Sequence, residues 1–439
     1  YPIGYVRWTE NRNMQAFIGL LSERKLSLGS LVTHKFPISQ GLEAYELVTG
    51  NKTEPFLGVL IEYPDSSDKS TVVTLSRGAD SSKHGDIVQS GTSSKIGIGF
   101  LGAGSFANLV LLPAFKKSKS TELIGVCTSS GVSSKRAGDK YGFRYCTTDQ
   151  IQLLEDAEID AVVIATRHHL HAAQITSALR AGKHVFCEKP LCLTQEELKQ
   201  VIETLEEQSS KLLFVGYNRR YAPLGNSLAA HFRQIHEPLM MTYRINAGYI
   251  PKDHWVQDPE QGGGRMLGEI CHFVDFLNYI VQSSPARVYA RALPNNERYR
   301  EDNLILNIEY LDGSIGTVIY EANGSSWIGK ERIEISGGGS TGIIDDFRSL
   351  EIATSNKRKA VSLRSKQDKG HEAEIKTFLD VVSAKNRDFS YVAQLVDTSL
   401  TIFRALDSLS SGIPQDISSS EFLLEALGRN HSAETSTES

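Results

Sequence analysis

The stretch Ile96-Gly97-Ile98-Gly99-Phe100-Leu101-Gly102-Ala103-Gly104-Ser105-Phe106-Ala107 is a short apolar strand that runs directly into a glycine-rich turn. Its spacing is G-x-G-x-x-A. Gly102 permits the tight turn, Gly104 lets backbone approach a ligand's phosphates, and Ala107 leaves room for close packing of helix on strand. A helix opening near Ser105, with Phe106 in its first turn, aims unpaired N–H groups and the positive end of its dipole at those phosphates. The pattern points to a bound dinucleotide pyrophosphate.

Outward from this turn, strand and helix alternate. Glu122–Cys127, Asp160–Thr166, Lys183–Cys187 and Leu212–Tyr217 are continuous apolar runs of the kind buried on both faces of a parallel sheet. Between them, Ser133–Tyr141, a stretch from Ile151 to Leu154, and His171–Arg180 read as helices. Thr194 with Glu197 three residues on is a capping box for a helix reaching about Gln208. The alternation predicts a doubly wound α/β domain over about 95–218.

The end of the second strand bears on cofactor choice. A domain of this type that binds NAD usually has an acidic side chain there for the ribose hydroxyls, whereas this chain has Thr128-Ser129-Ser130-Gly131, followed by Lys135 and Arg136. Hydroxyl side chains and nearby cations tolerate a 2′-phosphate. The reading leans to NADP and keeps NAD open.

Composition sets outer limits. A chain of 439 residues has room for two or more domains. With 47 Lys plus Arg against 52 Asp plus Glu and the basic residues scattered, nothing draws the chain to nucleic acid. No apolar run reaches the roughly 18 residues of a membrane helix, and the start carries no signal-peptide pattern, so a cytoplasmic protein without membrane partners is expected. Cys127, Cys146, Cys187, Cys192 and Cys271 show no C-x-x-C spacing and read as reduced apolar fillers.

His168, His169 and His171 follow the Asp160–Thr166 strand, but neighbouring histidines on an extended segment point apart, and no metal is expected. Two readings of them stay open: His169 or His171 beside the cofactor, or a capping and surface role. Thr166 belongs to the same strand edge. The segment Cys187-Glu188-Lys189-Pro190 also lies just past a strand, where ligands of this architecture collect, so Glu188 and Lys189 are placed at the cofactor. An ammonium group there can bond a hydroxyl that becomes a carbonyl. The plain alternative is a surface Glu–Lys pair before a turn proline.

Gly262-Gly263-Gly264-Arg265-Met266-Leu267-Gly268-Glu269-Ile270-Cys271-His272-Phe273-Val274-Asp275 is the third constellation. As a helix from Met266, it sets Gly268, His272 and Asp275 on one face with Glu269 to the side. His272 can take a hydroxyl proton in oxidation and return it in reduction. Asp275 then orients the imidazole or caps a neighbour. The alternative makes His272 a hydrogen-bonded core residue.

The three motifs in this order, with Gly216-Tyr217-Asn218-Arg219-Arg220-Tyr221, resemble the glucose-fructose oxidoreductase, inositol dehydrogenase and rhizopine-catabolism family, written Gfo/Idh/MocA, over about 95–412. The resemblance implies an α/β architecture: an N-terminal Rossmann domain, then an α+β domain with a large open, mainly antiparallel sheet whose free face mediates homo-oligomerisation. It implies hydride transfer between NAD or NADP and a hydroxyl or carbonyl carbon of a sugar, nucleotide-linked sugar or polyol. By it, Lys189 lies near the nicotinamide and the reacting oxygen, and His272 is the acid/base. Arg219 and Arg265 join Asp275 as substrate-binding candidates. One departure concerns the D-x-G-x-H pattern of many polyol-oxidising members, where this chain has Gly268 and Ile270, with a carboxylate at Glu269 instead. Either Glu269 serves catalysis from the adjacent position, or proton transfer depends on Lys189 and His272. The departure weighs against an ordinary inositol-type substrate. Epimerisation or glycoside cleavage through transient oxidation remains an alternative, as does a non-catalytic nicotinamide-binding sensor or scaffold.

The second domain is read over 219–428. Pro238–Gly248 is an alternating strand, and 303–310 with 316–320 straddles an Asp312-Gly313 hairpin turn. The stretch 249–259 is poor core material but a natural substrate rim, with Tyr249 and Trp255 to stack on a sugar and Lys252 to meet an anion. Helices over 371–382 and about 391–409 are expected to close this domain, and 429–439 to be a disordered tail. Residues 1–64, with helices over about 13–22 and 39–49, resemble the end of the medium-chain, zinc-type alcohol dehydrogenase family through Leu31–Val48 and Phe56–Ile61. That resemblance implies an upstream alcohol dehydrogenase-like module of the same polypeptide. Residues 65–94 read as a linker around one short strand, Val72–Leu75.

Overall fold

A computed structural model describes residues 8–50, 54–63, 71–75, 95–363, 367–384 and 389–428. They belong to two units, Tyr1–Ser70 and Thr71–Ser439. In the first, strands Val32–Pro37 and Gly58–Glu62 pair in parallel. Parallel neighbours need a crossover, and helix Gly41–Val48 supplies it, burying Ala44 and Leu47. A further helix, Glu10–Ser22, is capped by the Thr9 side chain, which accepts the Arg12 N–H.

The second unit contains two sheets. Seven strands run in the order Val72–Thr74, Tyr145–Thr147, Thr121–Cys127, Ile96–Leu101, Ala161–Ile164, His184–Cys187 and Leu213–Val215. All pairings are parallel except the first. Every residue of Ile96–Leu101 is buried, as helices on both faces require. The helix Gln195–Glu207 carries the complete Thr194/Glu197 capping box that its sequence predicts.

The strand placed in a linker is an edge strand of this sheet. Val72–Thr74 pairs antiparallel with Tyr145–Thr147, and Leu75 is buried. Gly138 makes the space for Leu75, since a Cβ added there would lie 2.3 Å from the leucine Cδ1. Linker positions 65–70 and 76–94 and the tail from 429 lie outside the described residues.

Nine strands form the other sheet, in the order Arg358–Ser362, Ser349–Thr354, Ser340–Asp345, Glu331–Gly337, Met240–Asn246, Ile315–Glu321, Asn303–Tyr310, Pro285–Ala292 and Gln415–Asp416. Only Met240–Asn246 and Ile315–Glu321 pair in parallel. The predicted hairpin is present, with Gly313 in the left-handed region at φ +86°. Asn303–Tyr310 alternates, with Leu304, Leu306 and Ile308 buried and Ile305, Asn307 and Glu309 exposed. Helices pack on the inner face and leave the other face open.

Helix His371–Ala384 does something other than close the second domain. Its Phe378 ring lies 6.5, 5.5 and 5.7 Å from those of Phe115, Phe186 and Phe214, so it is packed into the core of the parallel sheet. The preceding residues are thereby carried to the carboxyl edge of that sheet. Among the described residues, no helix is long and apolar enough to cross a membrane.

Candidate active site

The glycine turn has the shape its sequence predicts. Gly102 sits at φ +92°, and a Cβ there would approach the Ala165 carbonyl oxygen to 2.4 Å, so glycine is required. In front of Gly104 there is open space. Ser105 and Phe106 are exposed, while Ala107 is buried beneath them and packs the helix on the strand. The helix winds as a wide π turn over Ala107–Leu111 before becoming regular over Leu112–Lys117. An accessible backbone backed by a close strand fits a dinucleotide diphosphate, which the helix N-terminus would hold.

Ser129 and Ser130 are exposed beyond Cys127, whose carbonyl accepts the Gly102 N–H at 2.8 Å. Arg136 is exposed on the helix that follows. Lys135 is exposed on the same helix, its ammonium 2.9 Å from Asp139.

His171 also departs from its reading as a cofactor contact. It is fully buried, with Nδ1 donating to the Pro190 carbonyl at 2.7 Å and Nε2 lying 3.3 Å from the Thr166 carbonyl. Burial holds it neutral down to about pH 4. It clamps the Lys189-Pro190 segment to the end of its neighbouring strand. The Thr166 hydroxyl is likewise engaged, donating to Gln174 at 2.6 Å. Glu188 is buried against Gly216 rather than facing open space, and burial pushes its carboxyl up to about 7 against the pull of Lys189.

Lys189 is partly exposed and donates to the Gly268 carbonyl at 2.8 Å. That contact joins the end of a Rossmann strand to the helix of the third motif. The latter begins as a second π turn, Met266–Ile270, and becomes α-helical over Cys271–Val281. The wider winding shifts Gly268 relative to the regular helix that carries His272 and Asp275. Gly268 lies under the His168 ring, where an added Cβ would meet Cε1 at 3.0 Å. His272 is buried with its Nδ1 unpartnered, near Tyr217. Burial and the cations of Arg219, Lys189 and Lys330 hold this imidazole well below its ordinary value, with His371 acting in the same direction.

Asp275 is neither a substrate contact nor a partner of His272. It is fully buried and paired with Arg220, its Oδ2 and Oδ1 at 2.6 and 2.5 Å from Nε and Nη2. Arg219 is corrected in the same way, held by Glu331 at 3.1 and 2.8 Å. Arg265 is buried and donates to the Tyr320 hydroxyl at 2.6 Å and to Glu269 at 3.0 Å. Glu269 also accepts from Tyr320 and lies 3.6 Å from Lys330. Although burial opposes ionisation, these partners hold its carboxyl down to about 2. A carboxylate so engaged stays ionised at neutral pH, shared among Arg265, Tyr320 and Lys330.

The rim divides into two groups. Trp255 packs edge-on to His168 at 4.8 Å, whose Nδ1 donates to the Gly262 carbonyl at 2.7 Å. Tyr249 and Lys252 instead meet the 296–299 loop: Tyr249 packs against Tyr299, and Lys252 donates to the Asn296 carbonyl at 2.6 Å. Lys330, Tyr320, Lys369 and His371 escape sequence reading because they lie in no motif. The structure brings His371 within 5.9 Å of the Phe106 ring.

A glycine turn suited to a dinucleotide, beside a lysine and a buried unpartnered histidine, defines the layout of a dinucleotide-dependent oxidoreductase. Residues 96–217 match the profile of an oxidoreductase family with an NAD-binding Rossmann fold, and 232–401 match that family's C-terminal alpha/beta domain. The chain belongs to the Gfo/Idh/MocA oxidoreductase family. It is 28% identical over 197 residues to a 1,5-anhydro-D-fructose reductase of Ensifer adhaerens, covering 44% of this chain and 58% of that protein. Against an inositol 2-dehydrogenase of Rhizobium meliloti it is 30% identical over 196 residues, covering 44% and 57%. The matched region thus spans under three fifths of either relative. A levoglucosan dehydrogenase solved with NADH and L-sorbose shares the fold, with a TM-score of 0.65 at 19% identity over 74% of this chain and 99% of that one.

Two outcomes follow. Gly104→Val fills open space, so the urea midpoint should hold while NAD(H) affinity, read by fluorescence, falls about tenfold or more, roughly 1.4 kcal/mol; undiminished binding would refute the cradle. His168, His171 and His371 are held to about 3, 4 and 4 by burial, against an unfolded value near 6.5. Between pH 6.5 and 4 the unfolded chain therefore binds protons that the folded chain refuses, so stability falls with pH. Urea midpoints at pH 7, 6 and 5 should decline in that order.

Proposed function

We propose that the chain transfers a hydride between NAD(P) and a hydroxyl or carbonyl carbon of a sugar or polyol. The observation carrying this reading is the pairing of Lys189, tied to the Gly268 carbonyl at 2.8 Å, with the buried, unpartnered Nδ1 of His272 beside the same helix. The nicotinamide, when bound, supplies the hydride acceptor or donor. His272, neutral at working pH, accepts the hydroxyl proton during oxidation and returns it during reduction. Lys189 steadies the negative charge that builds on the oxygen. Arg265 and Glu269 position this wall, and Trp255 offers an aromatic face to the sugar.

Hydroxyls at Ser129 and Ser130 with the exposed Arg136 support use of NADP as well as NAD. The open sheet face is proposed as the surface that joins copies of this chain: Ile305 and Ile319 are direct cross-strand partners on it. Five buried, unpaired cysteines favour a reducing compartment such as the cytoplasm.

On a sugar or polyol that reduces NAD(P), His272→Ala and Lys189→Ala should each lower turnover about 10²-fold or more, read by NAD(P)H absorbance. Full turnover in both would overturn the assigned roles. Ile305→Glu with Ile319→Glu should lower the mass measured by light scattering after gel filtration; an unchanged oligomer would exclude this face.

A further inference from the structure

We propose that the substrate carries an anionic group, a carboxylate such as that of a sugar acid, bound beside the reacting carbon by Lys330 with Lys189 and His371 around it. This inference rests on the oxidoreductase reading and deepens it.

The argument starts from the charges around His272. Arg219, Lys189, His371 and Lys330 all act to keep the His272 imidazole unprotonated. Carboxylates near them are already committed. Glu331 is fully buried and shared by Arg219 at 2.8 Å and Lys369 at 2.6 Å, and it also accepts from Tyr243 at 2.5 Å. Glu269 is divided among Arg265, Tyr320 and Lys330. Asp275 is spent on Arg220. Asp368 caps the Gly370 N–H at 2.8 Å. Glu374 is buried, and burial, with Glu188 acting in the same direction, raises its carboxyl well above the usual range.

Two partly exposed cations meet the turn at Gly268 and Glu269. Among the described residues Lys189 has no carboxylate within ion-pair distance, only the Gly268 carbonyl. Lys330 shares the Glu269 carboxylate with Arg265, at 3.6 and 3.0 Å, and keeps its side chain 39% exposed. Both are free to face a ligand.

The helix wall offers no balancing charge. Position 268 is glycine, and the space above it is filled by His168, neutral down to about pH 3 because it is buried and close to Lys189. From the other side, Gly370 presses the 369–371 segment onto Asn218 and Ala222, with a Cβ there only 2.4 Å from their backbone atoms. Asn218 fixes the Lys369 carbonyl at 2.7 Å, so His371 is delivered against Phe106. Partly exposed positive groups attract an anion, the more strongly where burial reduces screening by water. A neutral polyol leaves this excess uncompensated.

The full chain is assayed with NAD⁺ and NADP⁺ against matched pairs, D-glucose with D-glucuronate and with D-gluconate, and D-galactose with D-galacturonate. Calorimetric titration of the same sugars into the dinucleotide-loaded protein runs alongside. The acid of at least one pair should exceed its neutral partner tenfold or more in kcat/KM or in affinity, with the preference shrinking as salt rises. Lys330→Gln should cut the acid-to-neutral ratio fivefold or more, and Lys330→Arg should keep it. Neutral sugars turned over as well as their acids would overturn this proposal and leave the oxidoreductase reading standing. Failure of every acid to bind more tightly than its neutral partner also overturns it. Absence of any dinucleotide binding would instead sink the oxidoreductase reading.

Discussion

The hydrogen bond from the Lys189 ammonium to the Gly268 carbonyl, 2.8 Å long, holds the reaction centre together. One end belongs to a parallel strand of the Rossmann sheet, the other to the helix of the antiparallel domain. Neither layer forms a site without the other. Other contacts brace this seam: His171 fixes the Pro190 carbonyl, His168 fixes the Gly262 carbonyl, and Phe378 anchors the His371 helix in the Rossmann core. Two buried ion pairs, Arg219–Glu331 and Arg220–Asp275, lock the segment between the domains. Burying such pairs yields little net stability, yet removing one partner costs about 3–5 kcal/mol, so they penalise misdocked arrangements more than they strengthen the native one.

Electrostatics in this seam has a consistent sense. Burial and surrounding cations keep the His272 imidazole in its neutral, proton-accepting form. The same cations favour the oxygen once it loses its proton. Glu269 is held ionised, and its role becomes the placement of Arg265, Tyr320 and Lys330.

Local rules explain which parts of this were readable. The glycine turn, the Thr194 capping box and the alternating strands are encoded within a few residues, where steric and hydrogen-bonding demands leave few alternatives. Lys189 and His272 stood out because each sits in a motif. Arg219, Arg265 and Asp275 were misread because a charged residue beside a motif looks the same whether it meets a ligand or a buried counter-ion. Their partners, Glu331, Tyr320 and Arg220, lie 112, 55 and 55 positions away. The linker strand had the right residues in the right place, but its pairing with Tyr145–Thr147 is a long-range choice. Lys330 and His371 carried no local signal at all.

The π turn at Met266–Ile270 explains why a helical spacing argument failed at the most important helix. Regular winding would stack position 268 on 272 and direct Asp275 along the same stripe. The turn offers the Gly268 carbonyl to Lys189, and in the regular helix beyond it the His272 ring packs against Tyr217 while Asp275 pairs with Arg220. Wide turns have poorer hydrogen-bond geometry and are rare, so one that persists implies compensation from its surroundings. Here the compensation is visible. Lys189 binds a carbonyl of the turn, Arg265 and Tyr320 grip its Glu269 side chain, and His168 covers its glycine. Where a carboxylate four residues before the histidine would extend a relay along a regular helix, this chain sets one buried imidazole among cations.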